Sequence, residues 1–503
     1  MSSSTAATKP SSKPSRRGSR RPAGVLLNTA ATVGIHGSAT TARDRTNNGN
    51  TIQVSFCLKR PPQKSTLFVH SSDLNPSVPP EIVCSVDNLL LLRVNMGTGP
   101  SCASPKYCDY FIYRADSSRP SLELLQRPHP FFHNSDVGLL PRSDGHYTIA
   151  ALIATGTNDM YQLHVFHSDT SSWTSSMVSV EAPQEEFPVK LPWNCGRLLN
   201  HDTTTVITIG GEGGTMGWVD LWRGILLCDV LHSKPSLRGV PLPLPLTEMS
   251  YNNGLGLEFG FPGQRRGIAF IRDKGCLMFV HLEITDVRLP DKDPETGSTA
   301  FQVDDWALTT WSNNKMSNSL EDWHKKHVVQ ASNISITGPA VSRLLKDSGL
   351  LLHRPHDNEV ATAELRNLQN LSMYQPTPCL SGEDVVYLVA RVKYMHPKAW
   401  VLAVDMRNGG RLHGVGYFGN QRYCGVSVIY CPSTISKYMN RGKHINPATT
   451  SGFYGAEFRD KLLEAIEVLK QAMCNSMANQ TANAPTRLTG PIVEEESEKE
   501  DEV

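Results

Sequence analysis

No apolar run in this chain approaches the ~18 residues that a helix needs to cross a bilayer, and the N-terminus lacks the apolar core of a secretory signal. The 11 cysteines are scattered with no C-x-x-C pair, which argues against a zinc ribbon and against a disulfide framework. Reduced thiols in cytoplasm or nucleus are the expectation. The formal net charge is only +1, so no global field draws in nucleic acid or a membrane surface, and neither is expected as a partner. No acidic residue precedes Asp44. The basic leader (Lys9, Lys13, Arg16, Arg17, Arg20, Arg21) reads as a disordered tail, with a nuclear signal at Arg16–Arg21 or an organelle transit peptide as alternatives. The far end is its opposite, with Glu494, Glu495, Glu496, Glu498, Glu500, Asp501 and Glu502.

With 503 residues, the chain exceeds what one compact core usually needs, so either two domains or one repeat-built domain is expected. Residues 1–24 are Ser/Pro/Arg/Lys-rich and are expected to stay unfolded. From Val25 to about Pro432 the chain reads as short strands rich in Val, Ile, Leu, Tyr and Phe, bounded by Gly, Pro, Asn, Asp or Ser. The clearest are 52–58, 82–94, 110–114, 147–153, 162–167, 206–210, 224–230, 276–283, 385–392 and 401–405. A unit recurs: apolar strand, polar turn, then a second strand with an aromatic or a Pro-Leu-Pro stop. Copies begin near Asp109, Tyr161, Ile225, Leu277 and Trp400. Their spacing is near that of a four-stranded propeller blade, which cannot bury both faces alone and must stack on neighbours. The expected fold is therefore mainly β: a β-propeller-like domain over 25–432, a partly helical insertion at 331–375, and disordered termini, the acidic one spanning 479–503. One long helix is expected at 453–478, where Phe458, Leu462, Ile466, Leu469, Met473 and Met477 share a face. That face docks on its own domain or receives a partner.

Signatures of chemistry are sparse. Gly210-Gly211-Glu212-Gly213-Gly214 follows a strand but lacks the Walker lysine and the G-x-G-x-x-G spacing, so it reads as a turn linking two blades. His164 and His167 lie three apart in a strand and point to opposite faces, so they cannot chelate one ion. His324/His327 and His353/His356 read as surface or structural histidines. No G-x-S-x-G, H-E-x-x-H or paired-cysteine zinc pattern occurs, and Cys57, Cys228 and Cys276 read as small buried hydrophobes. Asp291, Asp293 and Glu295 around Lys292 read as a solvated loop. The Asn333, Asn370 and Asn479 sequons are read as chance matches. No catalytic residue is assigned, and no metal or cofactor is expected.

The most informative segment is Gly217-Trp218-Val219-Asp220-Leu221-Trp222-Arg223-Gly224 through Asp229. In one reading Trp218 and Trp222 fill space between blades while Asp220 caps the turn. In the other, Trp218, Trp222 and Arg223 form a recognition patch. At this box the chain resembles the plant, chiefly grass, family known as domain of unknown function 1618. Segments 52–58, 137–141, 163–166, 237–243 and 306–311 extend the resemblance from about Val25 to Tyr430. It departs from the family at Gly24 and Asn28–Thr32, which implies looser packing there. The resemblance implies a plant protein and transfers no activity or catalytic residue. The hairpins are similar in style to kelch and F-box-associated propellers, but the stretch before Ile52 is too short and too polar for an F-box to be expected there.

These features together predict a non-enzymatic protein-interaction module, with Trp218, Trp222, Arg223, Phe458, Leu462, Ile466, Leu469 and Met473 as partner-binding residues. The alternatives are an enzyme, a hydrolase for example, with its site at the propeller's central opening, and a subunit of a larger immune or chromatin assembly.

Overall fold

The computed structural model describes residues 24–439 except 76–77, 97–106, 128, 156–159, 182–200, 244–261, 337, 352–367 and 421–428. Of two compact units, Met1–Gly442 and Lys443–Val503, the second lies outside the described residues, and with it the helix expected at 453–478.

The first unit is a six-bladed β-propeller. Blade 1 contains β1 (Val25–Asn28), β2 (Thr32–Val33), β3 (Ala42–Arg45), β4 (Thr51–Cys57) and β5 (Lys64–His70). Blade 2 is the meander β6 (Glu81–Val86), β7 (Leu89–Asn95), β8 (Cys108–Arg114) and β9 (Ser121–Leu125). Blade 3 is β10 (Val137–Pro141), β11 (Tyr147–Ala154), β12 (Met160–His167) and β13 (Ser172–Ser179). Blade 4 is β14 (Thr205–Gly210), β15 (Thr215–Asp220), β16 (Gly224–Asp229) and β17 (Leu237–Pro241). Blade 5 is β18 (Arg266–Ile271), β19 (Cys276–Lys292), β20 (Thr299–Asn313) and β21 (His324–Gln330). Blade 6 runs β23 (Ser372–Pro378), β24 (Val385–Arg391), β25 (Lys398–Asp405) and β26 (Arg411–Asn420), with β22 (Ser335–Ile336) parallel on its outer edge. The chain then returns to blade 1, where β27 (Tyr430–Ser433) pairs antiparallel with β1 as the innermost strand. The first and last strands of the ring thus share one sheet.

Strand alternation explains the architecture. Successive side chains point to opposite faces, and a blade inside a ring has a neighbour on both. In β7, Leu90, Leu92 and Val94 pack towards blade 1, while Leu89 and Leu91 pack towards blade 3. In β15, Trp218 packs with blade 3 and Val219 with blade 5. An apolar cluster fills each of the six blade-to-blade contacts, and a smaller one around Ile271 adds to the contact between blades 5 and 6. Burying each large aliphatic side chain contributes roughly 1.5–3 kcal/mol before chain entropy is subtracted. Indole N–H groups tie neighbours together: Trp218 Nε1 donates to Asp136 O at 2.7 Å and Trp323 Nε1 to Pro241 O at 2.7 Å. Where β18 of blade 5 meets β23 of blade 6, a Cβ on Gly267 would lie 1.8 Å from Pro376 O. Only glycine permits that approach.

Several expectations change. The segment read as one strand, 82–94, is two, divided at Asp87–Asn88. The glycine loop 210–214 joins β14 to β15 within blade 4 and does not link two blades. Its Gly210, Gly211 and Gly214 take φ of +89°, +83° and +65°, a conformation that glycine adopts without strain. Of the positions expected to pack loosely, Gly24, Thr29 and Ala30 are half-buried and Thr32 is exposed, while Ala31 is buried and so is Asn28, which ends β1 opposite Tyr430 of β27. Asn28 Nδ2 donates to Ala30 O at 2.7 Å there. In the insertion, α1 (Pro339–Asp347) is the described helix.

Candidate binding site at the central channel

Five innermost strands, β6, β14, β18, β23 and β27, line a cavity of about 380 Å³ on the ring axis. Its wall alternates apolar side chains (Val83, Ile207, Ile268, Phe270) with polar ones (Ser85, Thr208, Gln375, Thr377).

At the end where β6 and β18 finish, two turns from opposite blades meet across the axis. Arg272 Nε lies 3.3 Å from Asp87 Oδ1, with the two side chains 42% and 24% exposed. Asp87 holds a φ of 51° in the tight β6–β7 turn. Tyr438 lines the same end and is 39% exposed. Partial burial and then the Asp87 charge push its hydroxyl above its ordinary pKa.

Deeper in the wall, Arg266 is buried and donates from Nη1 to Leu221 O at 2.9 Å. Its guanidinium lies 4.9 Å from the Trp222 ring centre and 5.7 Å from that of Phe279. Desolvation lowers its pKa to about 9, against the opposing pull of Asp220. Asp220 in turn organises its own turn, accepting from the N–H groups of Trp222 (2.9 Å), Arg223 (3.2 Å) and Asp202 (3.0 Å) and pairing with Arg223 Nη1 at 2.9 Å.

The box residues are therefore interior. Trp218, Trp222 and Arg223 are 0%, 5% and 3% exposed. No partner reaches these side chains without displacing what covers them, which changes the expectation of a patch at the turn surface. Phe458, Leu462, Ile466, Leu469 and Met473 lie outside the described residues. His164 and His167 both lie on β12, while His324 and His327 lie on β21. The acidic loop is the tip of the long β19–β20 hairpin and is held by ion pairs. Lys393 Nζ lies 2.8 Å from both Asp293 Oδ2 and Glu295 Oε2.

Among the described residues, no group of three or more His, Cys, Asp or Glu is placed to hold a metal ion. Two thiols, Cys84 and Cys431, line the channel. Burial pushes both up, Cys431 to about 11, so they stay protonated. His201 and His281 are buried, and desolvation lowers them to about 4 and about 3. What the channel presents is an ion pair, an amide, hydroxyls and apolar wall.

Sequence reasoning missed Asp87, Arg272, Tyr438 and Gln375. The Asp-Asn pair at 87–88 was the available signal, since it favours a tight turn. Nothing local marks the others, because the ring brings them together from distant positions.

The fold defines a six-bladed propeller with an axial channel of mixed polar and apolar lining. Residues 218–387 match the sequence model of a family described as "Protein of unknown function (DUF1618)". No curated protein matches the chain. Among solved structures the chain is similar to the high-resolution structure of Penicillium chrysogenum alpha-L-arabinanase complexed with arabinobiose. The two share 9% identity over 79% of this chain and 87% of that one, with a TM-score of 0.28.

Proposed function

We propose that this chain is a non-enzymatic protein-interaction module and that the channel end built from Asp87, Arg272 and Tyr438 is its contact surface. The observation that carries the reading is the partly exposed Arg272–Asp87 pair, at a channel end that the partly exposed Tyr438 also lines. Arginine and tyrosine are favoured at binding hot spots. An exposed ion pair contributes only about 0–1 kcal/mol to stability, so its groups are free to exchange partners at small cost. Burial keeps the channel thiols Cys84 and Cys431 protonated, which also favours recognition over thiolate chemistry. The stripe Phe458, Leu462, Ile466, Leu469, Met473 belongs to the proposal as a second contact, and cytoplasm or nucleus as the setting.

The test is affinity purification of the full chain with mass spectrometry, beside the double variant Arg272→Ala/Tyr438→Ala. A protein retained by the parent chain and lost from a still-folded double variant supports the reading. A partner set indifferent to the double variant removes the contact surface.

A second reading rests on the cavity. About 380 Å³ falls within the size range of small-ligand sites, which favours a small molecule on the axis and leaves room for an enzyme. A small molecule that co-purifies in place of any protein would support it.

A further inference from the structure

We propose that the outer edge of blade 3 is a self-association surface on which β13 pairs antiparallel with β13 of a second copy of this chain. Exposed edge strands are open templates for pairing, and folded proteins usually blunt them with charge, proline or a covering segment. Five blades follow that rule. The outermost strands carry Arg43, Asp44 and Arg45 in β3, Glu123 in β9, Arg238 and Pro241 in β17, and Lys325 and Lys326 in β21. In blade 6, β26 carries Arg411 and is partly covered by β22. Blade 3 departs from it. Its outer strand, Ser172-Trp-Thr-Ser-Ser-Met-Val-Ser179, has eight residues with no charge and no proline, and six of them are exposed. Its inner edge is fully paired with β12 from Met160 to His167. Among the described residues no strand pairs with its outer edge.

A second copy fits this edge better than a charged peptide does. A two-fold axis through Ser175 sets each residue opposite a same-face partner. Trp173 then faces Met177 of the other copy, Thr174 faces Ser176, and Ser175 faces itself. Met177 is 55% exposed, and a thioether against an indole is a favourable contact. The hydroxyl pairs suit cross-strand hydrogen bonding. No like charges oppose each other anywhere in this register, and a net charge of +1 sets little long-range repulsion between copies.

The test is sedimentation velocity on the full chain over a concentration series, beside Ser175→Lys, Ser175→Glu and their mixture. Circular dichroism checks that each variant is folded. The proposal expects the parent mass to rise towards twice the monomer value with concentration. Each variant alone stays monomeric, because like charges face each other at the axis, and the mixture recovers the doubled mass. A parent chain that stays monomeric throughout overturns the proposal, even if Ser175→Lys releases some other protein. So does a dimer that persists in Ser175→Lys.

Discussion

Gln375 on blade 6 and Tyr430 on the closing strand are joined in both directions. Gln375 Nε2 donates to Tyr430 O at 3.0 Å, and the Tyr430 hydroxyl donates back to Gln375 O at 3.0 Å. The amide oxygen also accepts from Ile429 N at 3.0 Å. These bonds hold β27 against the sixth blade, and β27 hands the closure on to blade 1.

Gln375→Ala removes two of these bonds and strands a buried N–H and a buried carbonyl. Leaving such groups unsatisfied costs about 1–3 kcal/mol each, so a loss of about 2–6 kcal/mol is expected. Gln375 also adopts φ 52°, which alanine tolerates no better. Urea denaturation of variant and parent measures the difference, and an unchanged midpoint would show that the clasp is unimportant.

Trp218 joins blades 3 and 4. Trp218→Ala opens a cavity at that contact and is expected to cost about 3–5 kcal/mol. Trp218→Phe keeps most of the apolar contact and loses the 2.7 Å bond to Asp136 O, which still accepts from Leu152 N at 3.2 Å, for about 0.5–1.5 kcal/mol. Thermal melts of both variants give the order. Equal costs would mean that the apolar contact adds nothing beyond the hydrogen bond.

Stability should fall with acid through two buried histidines. In the folded chain, desolvation holds His201 at about 4 and His281 at about 3, below the ordinary imidazole value of about 6.5. The unfolded chain therefore binds more protons as soon as pH drops below about 6.5. The stability is fully present above that pH and is lost as pH falls towards 4 for His201 and 3 for His281. Each group contributes a slope approaching 1.4 kcal/mol per pH unit inside its window. Unfolding free energies of His201→Gln and His281→Gln between pH 4 and 7 should each show a shallower slope than the parent. Parallel curves would assign the acid sensitivity elsewhere.

How far the architecture could be read from the sequence depends on where periodicity survives. The runs at Leu89–Leu92 and Ile225–Cys228 are buried on both faces, so they stand out as apolar strands with a regular spacing. Five blades were visible that way. Blade 1 was not, because its innermost strand comes from residues 430–433, hundreds of positions from β1, and no local pattern records that pairing. The tryptophan box marked a real packing site but misled about exposure. Trp and Arg serve equally as interior anchors and as surface contacts, and only the neighbouring blade decides which. Arg272 and Asp87 are ordinary turn residues in sequence, and closure of the ring alone makes them a pair.

The claim on which the rest depends is that the two ends of the propeller meet to form one closed ring around the channel. Ser85 of blade 2 and Ser433 of the closing strand bring their hydroxyls to 2.7 Å, close enough for sulfurs at those positions to bond. Mild oxidation of the Ser85→Cys/Ser433→Cys variant, followed by peptide mapping, tests the closure directly. The account predicts a disulfide between positions 85 and 433 and a raised unfolding midpoint, since the bridge closes a very long loop. Free thiols at both positions in folded, oxidised protein would contradict it.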